Sequence, residues 1–90
     1  MLKVVVVEDE ELVRRGIVLA VDWASVDCVV VGEASNGEEG LEVIRRYHPD
    51  LVITDIKMPK LDGIEMLRQL RAEGNDAYAI FLTAYSDFDY

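Results

Sequence analysis

Cysteine occurs once in this chain of 90 residues, at Cys28, so neither an internal disulfide nor a cysteine-built metal cluster can form. A lone free thiol inside an apolar stretch suits a reducing cytosol, and a cytoplasmic location is the expectation. Basic residues are scarce as well: nine Lys and Arg stand against 18 Asp and Glu, a formal net charge of −9. Phosphate contacts need clustered Lys and Arg, so direct nucleic-acid binding by this segment is not expected. No apolar run approaches the length of a membrane span. The valine run near the start is cut short by Glu8, Asp9, Glu10 and Glu11, which argues against a secretory signal peptide. A G-x-G-x-x-G pattern after that run is missing, and with it a dinucleotide-binding turn. Linkers, low-complexity stretches and strong repeats are absent too. With hydrophobic residues at 51% and charged residues at 30%, residues 1–90 read as one globular domain.

Short β-branched runs alternate with helix-spaced segments. Lys3 to Val7, Cys28 to Gly32, Leu51 to Thr54 and Ala79 to Leu82 read as strands, the first buried on both faces. Between them, Glu10 to Val21 has Val13, Ile17, Ala20 and Val21 at helical spacing, with acids at its positive end. Asn36-Gly37 opens a second helix, Glu38 to Tyr47, with Leu41, Ile44 and Tyr47 on one face. His48-Pro49-Asp50 stops it. Asp62-Gly63 precedes a third helix marked by Ile64, Leu67 and Leu70, and Gly74-Asn75 ends that one. Ser86 to Tyr90 reads as the start of another helix. Four strands and three full helices in alternation predict an α/β fold, a parallel sheet with helices on both faces.

In such a sheet the carboxyl ends of all strands share one edge, and ligands bind there where the connections diverge. Glu8 and Asp9 follow the first strand, Asp55 the third and Thr83 the fourth. Each alone has a plain structural reading: acids at a helix start, a turn aspartate, a β-branched strand residue. Together they form a carboxylate cluster that needs a proton or cation to neutralise it. Oxygen ligands favour a hard ion such as Mg²⁺. A carboxylate beside it can act as a nucleophile towards phosphorus and form an acyl phosphate. Thr83 is placed to donate its hydroxyl to a phosphoryl oxygen. The strand-end lysine that would accompany it has no candidate after Lys60. His48 has no His or Cys partner nearby, and Trp23 reads as packing at a helix end.

Val4-Val5-Val6-Val7-Glu8-Asp9-Glu10, Leu51-Val52-Ile53-Thr54-Asp55-Ile56-Lys57-Met58-Pro59, Asp62-Gly63 and Leu82-Thr83-Ala84 resemble, in order and over the whole chain, response-regulator receiver domains of two-component signalling. Asp22-Trp23, Val31-Gly32-Glu33-Ala34 and the ending Thr83 to Tyr90 resemble the subgroup that precedes AraC-type DNA-binding domains. The resemblance implies a flavodoxin-like fold. It also implies that Asp55 is the phosphoacceptor and Thr83 the switch hydroxyl. Mg²⁺ would be held by Glu8, Asp9, Asp55 and the backbone carbonyl of Lys57. A sensor histidine kinase would be the partner, and the domain would be no enzyme beyond its own phosphorylation and dephosphorylation.

The family's fold has five strand–helix units, and this sequence stops as the fourth helix begins. The expectation is therefore a partial receiver that self-associates, as a dimer or domain-swapped assembly, through the surface a fifth unit would cover. The alternative is a receiver-derived scaffold without phosphotransfer. An aspartate-nucleophile phosphatase ranks lower, because such enzymes place an acid two residues after the nucleophile and Lys57 stands there.

Overall fold

The computed structural model describes residues 1–82. The chain runs β1 (Leu2–Val7), α1 (Glu11–Ala20), a 3₁₀ turn (Trp23–Val26), β2 (Cys28–Ala34), α2 (Gly37–Tyr47), β3 (Leu51–Asp55), α3 (Gly63–Ala72) and β4 (Tyr78–Leu82). All neighbouring strands are parallel, in the order β2-β1-β3-β4. The α/β architecture expected from the alternation is the one observed.

Val4 to Val7 are fully buried because β1 lies inside the sheet with a layer on each face. On one face Val5, Val7 and Val52 pack with Leu41 and Ile44 of α2 and Met66 and Leu70 of α3. Across the sheet, Val4, Val6, Cys28 and Ile53 meet Ile17 and Val18 of α1 and Trp23. Cys28 is a buried free thiol, as its apolar setting suggested.

The helix ends follow the polar residues before them. Asn36 caps α2 by accepting from Glu39 N–H at 2.9 Å. Asp62 caps α3 by accepting from Glu65 N–H at 2.7 Å. Each satisfies a donor that helix geometry leaves orphaned. α1 has no side-chain cap and no fully buried residue. Its last turn is held instead by the Trp23 indole N–H, which donates to the Val18 carbonyl at 3.0 Å.

Five apolar positions face differently from the sequence expectation. In α1, Val13, Ala20 and Val21 are exposed, and the inward side is Arg14, Ile17 and Val18. The helix is rotated so that the Arg14 guanidinium reaches polar partners at the strand ends. In α3 the core residue is Met66, with Ile64 exposed, because the buried stripe starts at Gly63. Tyr47 ends α2 partly exposed.

Candidate functional site: an acid trio at the carboxyl edge

β1 and β3 pair with Val7 opposite Thr54, so Glu8 and Asp55 leave the sheet side by side at its carboxyl edge. The order β2-β1-β3 makes this the point where connections from adjacent strands depart to opposite faces, the usual position of an α/β binding crevice. One carboxylate oxygen from each of Glu8, Asp9 and Asp55 lies within 4.8 Å of the other two. The topology thus brings Asp55 to the neighbouring acids Glu8 and Asp9, which precede it by 47 and 46 positions.

Backbone contacts fix each member. Glu8 N–H donates to the Ala34 carbonyl at 3.0 Å, tying the end of β1 to β2. The Glu8 carboxylate accepts from Glu10 N–H at 2.8 Å and is 5% exposed. Asp55 accepts from Ile56 N–H at 2.7 Å through Oδ1, which orients its carboxylate. The Asp55 carbonyl accepts from the buried Thr54 hydroxyl at 2.8 Å. Gly63 N–H donates to the Ile56 carbonyl at 2.8 Å. A Cβ on Gly63 would sit 2.1 Å from the Asp55 carbonyl oxygen, so only glycine lets α3 begin this close to the strand end. Gly37 plays the matching part at the start of α2, where a Cβ would lie 2.1 Å from the Leu61 carbonyl oxygen.

Electrostatically the trio is under-compensated. None of the ion pairs among the described residues involves Glu8, Asp9 or Asp55. Burial pushes the Glu8 carboxyl up to about 7, the Glu10 N–H opposes this, and Asp9 and Asp55 push it further up. A cluster of hard oxygen donors short of positive charge is the chemistry that suits a divalent cation such as Mg²⁺.

Residues 4–90 match the response regulator receiver domain family. The chain belongs to that family. Among proteins similar to this receiver is the transcriptional regulatory protein HptR of Staphylococcus aureus, 36% identical over all 90 residues, which are 35% of its length. The REC domain of AraT, a response regulator from Geobacillus stearothermophilus, is 35% identical with a TM-score of 0.90, over 99% of this chain and 69% of that one. A two component transcriptional regulator AraC from Clostridium phytofermentans is 28% identical with a TM-score of 0.83, over 100% of this chain and 73% of that one. The receiver spans about a third of the length of the curated relatives it matches.

Of the residues singled out from sequence, Glu8, Asp9 and Asp55 come together. Lys57 lies in the loop after β3 with its side chain exposed. Thr83 and the segment from Ser86 to Tyr90 lie outside the described residues. Sequence reasoning missed Arg14, Glu33, Thr54 and the steric role of Gly63. Only Gly63 carried a local signal, its place after the capping Asp62. No described helix is long and apolar enough to cross a membrane. A concavity of about 620 Å³ lies at the opposite edge, by Leu2, Leu51 and Tyr78 at the strand starts. It touches none of the trio.

Proposed function

We propose that this receiver accepts a phosphoryl group on Asp55, and that in the regulator carrying it this step controls a transcriptional output. The observation that supports the reading is the convergence of Glu8, Asp9 and Asp55 within 4.8 Å at the carboxyl edge. An Asp55 carboxylate oxygen attacks the phosphorus of a phosphohistidine or a small acyl phosphate. The P–O bond to Asp55 forms as the bond to the donor breaks, and the leaving group departs with its electron pair. Asp9, Asp55 and the Lys57 carbonyl would hold Mg²⁺, with Glu8 beside them. When bound, that ion offsets negative charge shared by the carboxylates and the phosphoryl oxygens. By family resemblance, Thr83 supplies a hydroxyl to one phosphoryl oxygen, and a sensor histidine kinase supplies the phosphoryl group.

Incubation with acetyl phosphate and MgCl₂, followed by intact-mass measurement, tests the reading. A single phosphoryl adduct on the parent chain, absent from Asp55→Ala and absent with EDTA, is the expected result. No adduct on a chain folded by circular dichroism, or an adduct that survives Asp55→Ala, contradicts it and favours the scaffold alternative.

We also infer self-association through the β4 side. β4 is one of the two edge strands among the described residues, and Tyr78 and Ile80 on it are 80% and 49% exposed. Exposed apolar strands of this kind tend to pair with another chain. Light scattering at high micromolar concentration should give a mass above the monomer, and a monomer at every concentration refutes it.

A further inference from the structure

We propose that Arg14 is a positioning residue for the acid pair on the β1–α1 turn, a role that rests on the phosphoacceptor reading above. Its guanidinium donates through an Nη to the Glu8 carbonyl at 2.7 Å and through Nε to Glu33 Oε1 at 3.2 Å. Glu33 lies on β2, so one side chain ties the turn, α1 and the neighbouring strand together. The Arg14 side chain is only 14% exposed, against 47% for Arg15, which binds the other oxygen of the same glutamate at 2.8 Å.

The consequence follows from peptide planarity. The Glu8 carbonyl belongs to the same rigid plane as the Asp9 nitrogen and Cα. Holding that oxygen fixes how Asp9 leaves the strand, while Glu8 N–H, bound to the Ala34 carbonyl, fixes the preceding plane. Beside it, the Glu8 carboxylate accepts from Glu10 N–H across the turn, and Ile17 and Val18 seat α1 on the sheet. α1 buries no residue fully and its N-terminus has no side-chain cap. The placement of Asp9 opposite Asp55 therefore depends on a polar clamp that already exists before any cation arrives.

Positioning and plain charge predict opposite signs. Removing a positive charge near an acidic site strengthens cation binding by Coulomb's law. Losing the clamp instead weakens it, and loss of residues that orient ligands costs about 10–100-fold in metal affinity. The comparison is Arg14→Met, which keeps the apolar stem and removes the donors, against Arg15→Ala, which removes the same charge and the same glutamate contact. MgCl₂ is titrated into each chain while the amide resonances of Asp9 and Asp55 are followed by NMR, with thermal unfolding alongside. The expected result is a Kd about tenfold weaker in Arg14→Met and unchanged or slightly tighter in Arg15→Ala. Arg14→Lys, which restores one donor, should fall between Arg14→Met and the parent. Equal Kd values in parent and Arg14→Met overturn the clamp while leaving the phosphoacceptor reading standing. Equal weakening in Arg14→Met and Arg15→Ala assigns the effect to Glu33 or to general stability and also overturns it. A parent chain that binds no Mg²⁺ removes both proposals. Should Arg14→Met fail to fold, Arg14→Lys carries the test alone, because it keeps the charge and loses the fork: a Kd weaker than the parent's supports the clamp, and a Kd equal to the parent's overturns it.

Discussion

The face of the sheet under α2 and α3 and the face under α1 share the same strands, yet they are closed by different interactions. Under α2 and α3 the contact is apolar: Leu41, Ile44, Met66 and Leu70 are buried, and both helices carry side-chain caps. Under α1 no helix residue is fully buried: Ile17 and Val18 pack only in part on Val4, Val6 and Ile53, and polar ties join them, the Arg14 and Arg15 contacts to Glu33 and the Trp23 indole bond. The acid trio straddles this divide. Asp55 opens the loop that leads into the well-packed α3, whereas Glu8 and Asp9 open the turn into the lightly packed α1. The proposed nucleophile thus stands on the side closed by apolar packing, and the accessory acids on the side whose placement rests on polar ties.

Truncating a buried residue on each side should break the symmetry most visibly. Met66→Ala, at a fully buried position, should cost about 2–5 kcal/mol. Ile17→Ala, on the partly buried side of α1, should cost less than half as much in the same denaturant titration. Next come the two glycines that mark the contrast. Gly63→Ala drives a Cβ to 2.1 Å from the Asp55 carbonyl and should cost about 1–3 kcal/mol, with slower phosphorylation because Asp55 is displaced. Gly16→Ala, whose Cβ would meet nothing within 4 Å, should instead stabilise by about 0.5–1 kcal/mol, the helix-propensity gain.

The pH dependence sharpens the account of the trio itself. Glu8 is raised from 4.5 to about 7 in the folded chain, so the folded state holds this proton where the unfolded state has released it. Stability should therefore be greatest at or below about pH 4.5 as far as Glu8 is concerned, and should fall as pH rises towards 7. Thermal melts across that range in cation-free buffer should show this slope in the parent and a flatter profile in Glu8→Gln. A smaller effect separates the helices without changing stability at all: amides of α1 should exchange with solvent faster than those of α2 and α3 in native-state hydrogen exchange.

Much of this was legible in the sequence because it rests on short-range rules. The valine run of β1, the caps Asn36 and Asp62, and the strand–helix alternation each announce their structure locally. Parallel pairing then brings Glu8, Asp9 and Asp55 to one edge without further information. What was not legible depends on how elements rotate against one another. Val13 and Ala20 fit a helical stripe as well as Ile17 does, but the inward side of α1 is the one that seats Ile17 and Val18 on the sheet and brings Arg14 to Glu33 and the Glu8 carbonyl. Ile64, Leu67 and Leu70 mark the stripe of α3 in the sequence, yet with Gly63 against the Asp55 carbonyl it is Met66 and Leu70 that are buried and Ile64 that is exposed. A polar clamp such as Arg14 to Glu8 and Glu33 leaves no periodic trace, since its members lie on α1, the turn before it and β2.

The central claim is that the trio makes Asp55 a phosphate acceptor, and the most direct measurement locates the phosphoryl group. The chain is treated with acetyl phosphate and MgCl₂, reduced with borohydride to convert any aspartyl phosphate to homoserine, digested and sequenced by mass spectrometry. The account predicts homoserine at position 55 alone, lost on Asp9→Ala and without Mg²⁺. Homoserine at another acid, or none in a chain that remains folded, would contradict it.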